Sequence, residues 1–503
     1  MIKNKSLEAL TNFYDSKYFN WIIIFVGILI RFRQYLFNRS LWLDEAFLAL
    51  NILKLNYTGL LGPLLHGHAA PPLFLLITKL FTDIAGYSEY VLRFFPFLCG
   101  IISLLFFYQL AKHILQKQVI PVAIGLLSFS YYAVYYSNEF KQYSVDLLFT
   151  ILLIFFAFKL DEEQYQKRVS IYFGFIAILS TLFSHTSLFV LSGVLSALFY
   201  ELLIKNNETD PKKFLYCEHL KKLIVISFLS ISSFAFHYFL IIRKLPKNHF
   251  YEFWSNGFIP FPPTNLSDVK WYLNETIGIL KNPIGFGVLY GLAFIFLLMG
   301  IYGFWIRKEK IYFNLLAFPL VVLILASVLQ IYPINGRLVL FIIPIIYILI
   351  SEGMSQFVNS FCPHARIIGI LISAFLLLYP VFLGLNLIIK PIQNEEIKPV
   401  IQYCLRNKQE EDKIYIYYGA KTAFEYYTWN NNIYTLNSIG SNREKPEEYL
   451  RDLDKLKGTG RVWFLFSHTF PEEEKLYLTY LNYIAVPLDS FKTIGSSIYL
   501  YKL

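Results

Sequence analysis

The sequence predicts an α-helical polytopic membrane protein with about 11 transmembrane helices and a C-terminal extracytoplasmic α/β domain. Three observations lead there. Of 503 residues, 56% are apolar and 16% charged, with 49 Phe and 38 Tyr, whereas a water-soluble domain carries roughly 25% charged residues. The apolar residues gather into runs that match the roughly 20 residues needed to cross a hydrocarbon core of about 30 Å. The charge is also uneven: residues 390–503 hold 15 basic and 15 acidic residues, so the entire net charge of +10 belongs to residues 1–389. Such a composition excludes a disordered chain, a nucleic-acid-binding protein and a small disulfide-rich scaffold. The four cysteines show no C-x-x-C spacing, which argues against both a disulfide framework and a thiolate metal site.

Taken in order, the spans fall near 20–37, 92–112, 119–136, 142–160, 170–184, 186–204, 222–243, 284–306, 312–332, 337–351 and 367–389. Segment 72–86 is apolar but short, and reads as an interfacial or re-entrant helix. The first span is no cleavable leader, since it lacks a small-residue cleavage site and more spans follow at once. Lys and Arg concentrate in one set of short connections: Lys112 and Lys117; Lys159, Lys167 and Arg168; Lys205 to Lys222; Arg307 to Lys310. Retention of these cations in the cytoplasm places the N-terminus inside and, with an odd span count, the tail outside. Two outer connections are long, 38–91 and 244–283, and carry the Trp, Pro and polar residues of a working surface. The chain thus divides into a membrane domain, 1–389, and a soluble domain, 390–503. The latter alternates helix near 395–408, strand 413–418, helices 421–429 and 445–457, strand 461–467, helix 471–484 and two final strands.

Candidate chemistry gathers on the outer face. The first long loop opens with Arg39-Ser-Leu-Trp-Leu-Asp44-Glu45, two acids directly after a span. Solvated loop acids or a helix cap are the ordinary reading of such a pair, but acids close to hydrocarbon also become usable bases. His66 and His68 precede a double proline, and His185 sits in a later outer turn between apolar spans. Neutral imidazoles bind divalent metals, though a single one is more often a packing residue. Glu139 and Lys141 share the tight turn Ser137-Asn-Glu-Phe-Lys-Gln-Tyr143, and Arg337 follows Asn335-Gly336 in the last outer turn, where a snorkelling cation would also be at home. Acids, imidazoles and a guanidinium on one face suit an anionic substrate.

At these residues the sequence resembles the GT-C superfamily of polyprenyl-phosphate-sugar glycosyltransferases, the group containing the lipid A aminoarabinose transferase and the protein O-mannosyltransferases. Arg31 with LWLDE (41–45) is similar to the superfamily's first-loop acidic motif, and HAAPPLFLL (68–76) to its Pro-Pro-Leu element. SNEFKQY (137–143) is similar to its S-x-E-x-R-x-Y pattern, and GRLVLFIIP (336–344) to its late G-R-Y segment. Lys141 and Leu338 depart from the pattern, standing where Arg and Tyr are expected.

The resemblance implies an inverting transfer of a sugar from a polyprenyl-phosphate donor to a hydroxyl or phosphate on a lipid, glycan or protein acceptor. Asp44 is then the first choice of base, Glu139 the second and Glu45 a lesser third, because deprotonating an attacking hydroxyl needs a carboxylate. Arg93, Lys141 and Arg337 become the candidate holders of the lipid phosphate. By resemblance, His68 and His185 are candidate ligands of a divalent metal, which some members of the superfamily lack. The implied setting is a bacterial inner or plasma membrane.

Two other readings share the composition. A transporter or flippase would place polar groups near the bilayer midplane; Asp146 and His237, inside predicted spans, speak for it. A non-catalytic sensor would read a ligand with its tail.

Overall fold

The computed structural model describes residues 16–67, 69–162, 165–206, 218–240, 242–244, 252–307, 310–360, 366–429, 436–437 and 446–503. Among them, nine helices are long and apolar enough to cross a membrane, or ten when one bent pair is counted as a single span. The first is α1 (Lys17–Phe37), which ends at Asn38 in the left-handed conformation. The first long loop then forms α2 (Leu43–Lys54) and α3 (Pro72–Ala85) before the chain re-enters with α4 (Glu89–Ile114). The bent pair follows: α5 (Ile120–Ser128) and α6 (Tyr131–Ser137), with 52° between the two halves of this span. The remaining helices of the membrane part are α7 (Tyr143–Glu162), α8 (Lys167–Phe183), α9 (Ser187–Asn206), α10 (Glu218–Leu240), α11 (Leu266–Lys281), α12 (Tyr290–Ile306), α13 (Lys310–Val328), α14 (Ile343–Ser360) and α15 (Arg366–Ile389).

The sequence leads one to expect about eleven spans. The shortfall lies at 119–136, which is the bent pair, and at 170–184, which is α8 with 17 residues. Segment 72–86 is indeed a separate short helix, α3, packed against α4 and α8.

Interior polar groups have structural causes. Arg31, wholly buried in α1, donates to the Gly27 carbonyl (3.0 Å), to that of Ser128 (3.1 Å) and to that of Leu127 (3.0 Å). The last two are carbonyls left open where α5 breaks, and inside a membrane they must find a protein donor. Small residues let helices touch elsewhere. A Cβ added to Gly300 of α12 would lie 1.8 Å from the Leu349 carbonyl oxygen, and one added to Gly353 of α14 would lie 1.8 Å from that of Phe296. The two backbones are in contact at that crossing.

The tail builds a five-stranded mixed sheet from β1 (Lys413–Ile416), β2 (Leu436–Asn437), β3 (Arg461–Ser467), β4 (Val486–Thr493) and β5 (Ser496–Lys502), in the order β2-β1-β3-β5-β4. β1 lies parallel to β2 and β3, while β5 is antiparallel to β3 and β4. Four helices flank it: α16 (Ile397–Asn407), α17 (Lys421–Tyr427), α18 (Pro446–Asp454) and α19 (Pro471–Ile484). β3 is buried from Val462 to Ser467, as expected of a central strand covered on both sides.

The tail docks on the first loop. Ser40 donates from its amide (3.0 Å) and its hydroxyl (2.9 Å) to Glu396, the Leu41 amide donates to the Tyr427 hydroxyl (2.8 Å), and Lys398 pairs with Glu89 (2.7 Å). One hydrophobic cluster runs from Leu41, Ala46 and Leu50 of the loop into Ile397, Ile401 and Trp463 of the tail.

Candidate active site

Asp44 and Glu45 stand in the first turn of α2, where the helix dipole favours negative charge. One turn position separates them, and their fates diverge. Glu45 points inward and is completely buried. Arg93 grips it through two bonds, Nε to Oε1 (2.8 Å) and Nη2 to Oε2 (2.6 Å), and the Phe140 amide adds a third (2.6 Å). Burial alone would push this carboxyl up; Arg93, Arg39 and the Phe140 amide together hold it below the ordinary carboxylate range. Asp44 points to a partly exposed cleft, where its Oδ2 lies 2.7 Å from Nη2 of Arg337.

Arg93 is buried as deeply as its partner. Its other donors reach the carbonyls of Arg39 (2.6 Å) and Ser40 (3.0 Å), so the guanidinium is committed to protein groups and fixes the start of the loop. That geometry moves the phosphate-holding proposal away from Arg93, and the saturated Glu45 away from proton transfer. Arg337 is placed differently. Its guanidinium stacks 5.2 Å from the Trp42 ring centroid and 6.0 Å from that of Tyr143, with a quarter of its side chain exposed. Lys141 lies in the turn after α6 and makes no hydrogen bond or ion pair through its amino group among the described residues. Burial lowers its pKa, partly countered by Asp44, which faces it.

Glu139 lies beneath this cleft, fully buried, with no close hydrogen bond to either carboxylate oxygen among the described residues and with Tyr135 beside it. The guanidinium of Arg39 is 3.8 Å away and also lies 3.6 Å from Glu45. Burial and the Glu45 charge raise the Glu139 carboxyl to about 7, against the pull of Arg39 and Arg337. Among the described residues the cluster therefore holds three carboxylates, one of them poised near neutrality, and four cations. The surplus is positive, and Arg337 and Lys141 are the cations nearest the opening.

His68 lies outside the described residues. His185 follows α8, and its Nε2 is 3.2 Å from Nε2 of His237 near the end of α10. Two imidazoles give two donors; among the described residues no group of three His, Cys, Asp or Glu side chains is placed to hold a metal. Asp146 is the fourth residue of α7, and His237 the fourth from the end of α10. Both therefore sit at helix ends, not at midspan.

Sequence reasoning overlooked four participants. Arg39 bridges Glu45 and Glu139, and its only local signal is a cation beside acids at a span end. Trp42 and Tyr143, which sandwich Arg337, sit in the same two motifs but read as interfacial aromatics. Glu395 of the tail accepts from the Leu43 amide, at 3.2 Å, directly beside Asp44.

Residues 69–232 match the sequence profile of the dolichyl-phosphate-mannose-protein mannosyltransferase family. A comparison with curated proteins found no match. The fold is similar to that of ArnT from Cupriavidus metallidurans in its undecaprenyl phosphate complex, with a TM-score of 0.54 at 10% identity, over 95% of this chain and 97% of that one. It is also similar to the archaeal oligosaccharyltransferase AglB from Archaeoglobus fulgidus, in complex with an inhibitory peptide and a dolichol-phosphate. There the TM-score is 0.51 at 11% identity, over 96% of this chain and 74% of that one.

Proposed function

We propose that this chain, whose fold is similar to that of ArnT, moves a sugar from a polyprenyl-phosphate donor to an acceptor hydroxyl, with inversion, on the outer face of the membrane. The observation that carries this reading is the partly exposed pair of Asp44 and Arg337 beside Lys141, whose amino group has no partner among the described residues. A carboxylate next to two cations at a membrane surface is what transfer from a lipid phosphate requires.

The proposed step runs as follows. The donor phosphate draws Arg337 and Lys141 onto its oxygens, which releases Asp44 from its ion pair. The freed carboxylate accepts the proton of the attacking hydroxyl. As the new bond from oxygen to the anomeric carbon forms, the bond from that carbon to the phosphate oxygen breaks, and its electron pair leaves with the lipid phosphate. Positive charge at the anomeric carbon is greatest midway, where Asp44 also lowers its energy. Arg39, Arg93 and Glu45 touch none of these atoms; they hold the loop and the start of α2 in place. His185 and His237 supply two nitrogen donors, and no step passes through a metal.

The outer placement of the site and tail, and the cytoplasmic N-terminus of a bacterial inner or plasma membrane protein, are supported by the Lys/Arg-rich connections on the opposite side. The transporter reading loses its support, because Asp146 and His237 lie at helix ends. The test is to incubate the purified protein with undecaprenyl-phosphate-linked hexoses and pentoses and to follow release of free undecaprenyl phosphate. Release that Asp44→Asn abolishes supports the reading. Release from none of these donors would refute it.

A further inference from the structure

At the seam between the last span and the tail lies a cavity of about 550 Å³ that the proposed transfer does not use. Its size falls within the roughly 300–1,000 Å³ of small-molecule sites. Glu395, His468, Phe470, Glu474, Lys492 and Ser497 are among the residues lining it. The turn between β4 and β5 forms one wall, pinned to the seam where the Glu396 amide donates to the Ile494 carbonyl (2.8 Å). Gly495 permits this approach: it has φ +69°, and a Cβ there would lie 2.4 Å from the Asn394 carbonyl oxygen.

The polar groups of this cavity are positioned, not merely present. Glu474 Oε1 accepts from the hydroxyls of Ser497 (2.7 Å) and Tyr499 (2.6 Å), which fixes the carboxylate, and among the described residues Oε2 has only a long bond from Thr469 (3.5 Å). His468 holds a left-handed backbone, φ +55°, that a non-glycine residue adopts at a cost. Its Nδ1 lies 2.6 Å from Glu395 Oε1, and its other ring nitrogen has no hydrogen bond among the described residues. Two carboxylates face one lysine and one histidine, which disfavours a phosphate. Phe470 adds an aromatic surface that is 52% exposed. Fixed carboxylates, hydroxyls and an aromatic face together match a sugar ring, with hydroxyls at its rim and C–H groups on its faces.

We propose that this cavity is a saccharide-binding site. On the transfer reading given above, the saccharide is part of the acceptor. The cavity is wired to the active site: Glu395, bonded to His468 by one oxygen, accepts from the Leu43 amide by the other (3.2 Å), and Leu43 opens the helix that carries Asp44.

The experiment is saturation-transfer NMR on the full chain in nanodiscs, with the methyl glycosides of glucose, mannose and N-acetylglucosamine as probes and inorganic phosphate as competitor. At least one glycoside should take up saturation, should not be displaced by phosphate, and should bind about tenfold more weakly to Glu474→Gln and to Phe470→Ala. Saturation of none of the three, displacement by phosphate, or unchanged binding in both variants overturns the proposal. Should Glu474→Gln fail to fold, the half-exposed Phe470 decides alone. Binding of undecaprenyl phosphate is measured in parallel: a chain that holds the glycoside but not the lipid phosphate keeps this site and overturns the transfer reading, and the reverse result does the opposite.

Discussion

Asp44 and Arg337 are 293 positions apart in the chain and meet at 2.7 Å. A partly exposed ion pair of this kind contributes little to stability, about 0–1 kcal/mol. Its two members are therefore available to exchange partners when a charged substrate arrives.

Asp44→Asn should reduce transfer by about 10²–10⁴-fold, since the amide keeps the shape and cannot take a proton. The thermal midpoint should stay near wild type. Initial rates of lipid phosphate release check this, and full activity would remove Asp44 from the reaction.

Arg337→Lys keeps the charge but not the planar fork stacked between Trp42 and Tyr143. Affinity for undecaprenyl phosphate should fall about tenfold. An unchanged dissociation constant would make Arg337 an interfacial anchor and leave Lys141 as the phosphate holder.

Arg93→Met should destabilise the protein by about 3–5 kcal/mol, because it leaves the Glu45 carboxylate buried without its partner. Midpoint measurements in detergent separate the two roles: a wild-type midpoint with weakened donor binding would return Arg93 to the phosphate site.

The pH dependence of stability should carry the mark of Glu139. In the unfolded chain its carboxyl has the ordinary value, whereas in the fold it titrates at about 7. The folded state thus holds the proton more tightly, and its advantage, full below the ordinary carboxylate range, is lost as pH rises through 7. The loss is on the order of 3 kcal/mol. Thermal midpoints should fall more steeply from pH 5 to pH 8 in the wild type than in Glu139→Gln; parallel curves would show that the slope belongs to another group. Glu45, held low, acts only at more acid pH.

Hydropathy made the membrane part legible because lipid tolerates few alternatives to long apolar helices. Strand 461–467 was readable as a run of apolar residues, and β3 has those limits. β2 was not, since a two-residue parallel strand has no period to detect. The fold brings the motif residues into one neighbourhood, which the sequence could not sort. In sequence, Arg93 and Arg337 are both cations near outer span ends; one is clamped on a buried carboxylate and the other faces the cleft, a distinction that only packing creates. Glu395 and Glu396 carried no local mark, because the loop groups they hold, Leu43 and Ser40, lie more than 350 residues away.

The docking of the tail on the loop behind α1 has an arithmetic consequence. The chain enters α1 at Lys17 on one face, and its far end is tied to residues 40–43, on the other. Only an odd number of traverses joins those points, and among the described residues the long helices with the bent pair make ten. An eleventh traverse by α8 would fit that parity: its start neighbours Lys222 through the Tyr165 carbonyl and its end neighbours His237 through His185, so that it runs the length of α10. Its 17 residues rise about 26 Å, against a hydrocarbon core of about 30 Å. A helix of that length suits a membrane a few ångströms thinner than average beside the His185 and His237 pair.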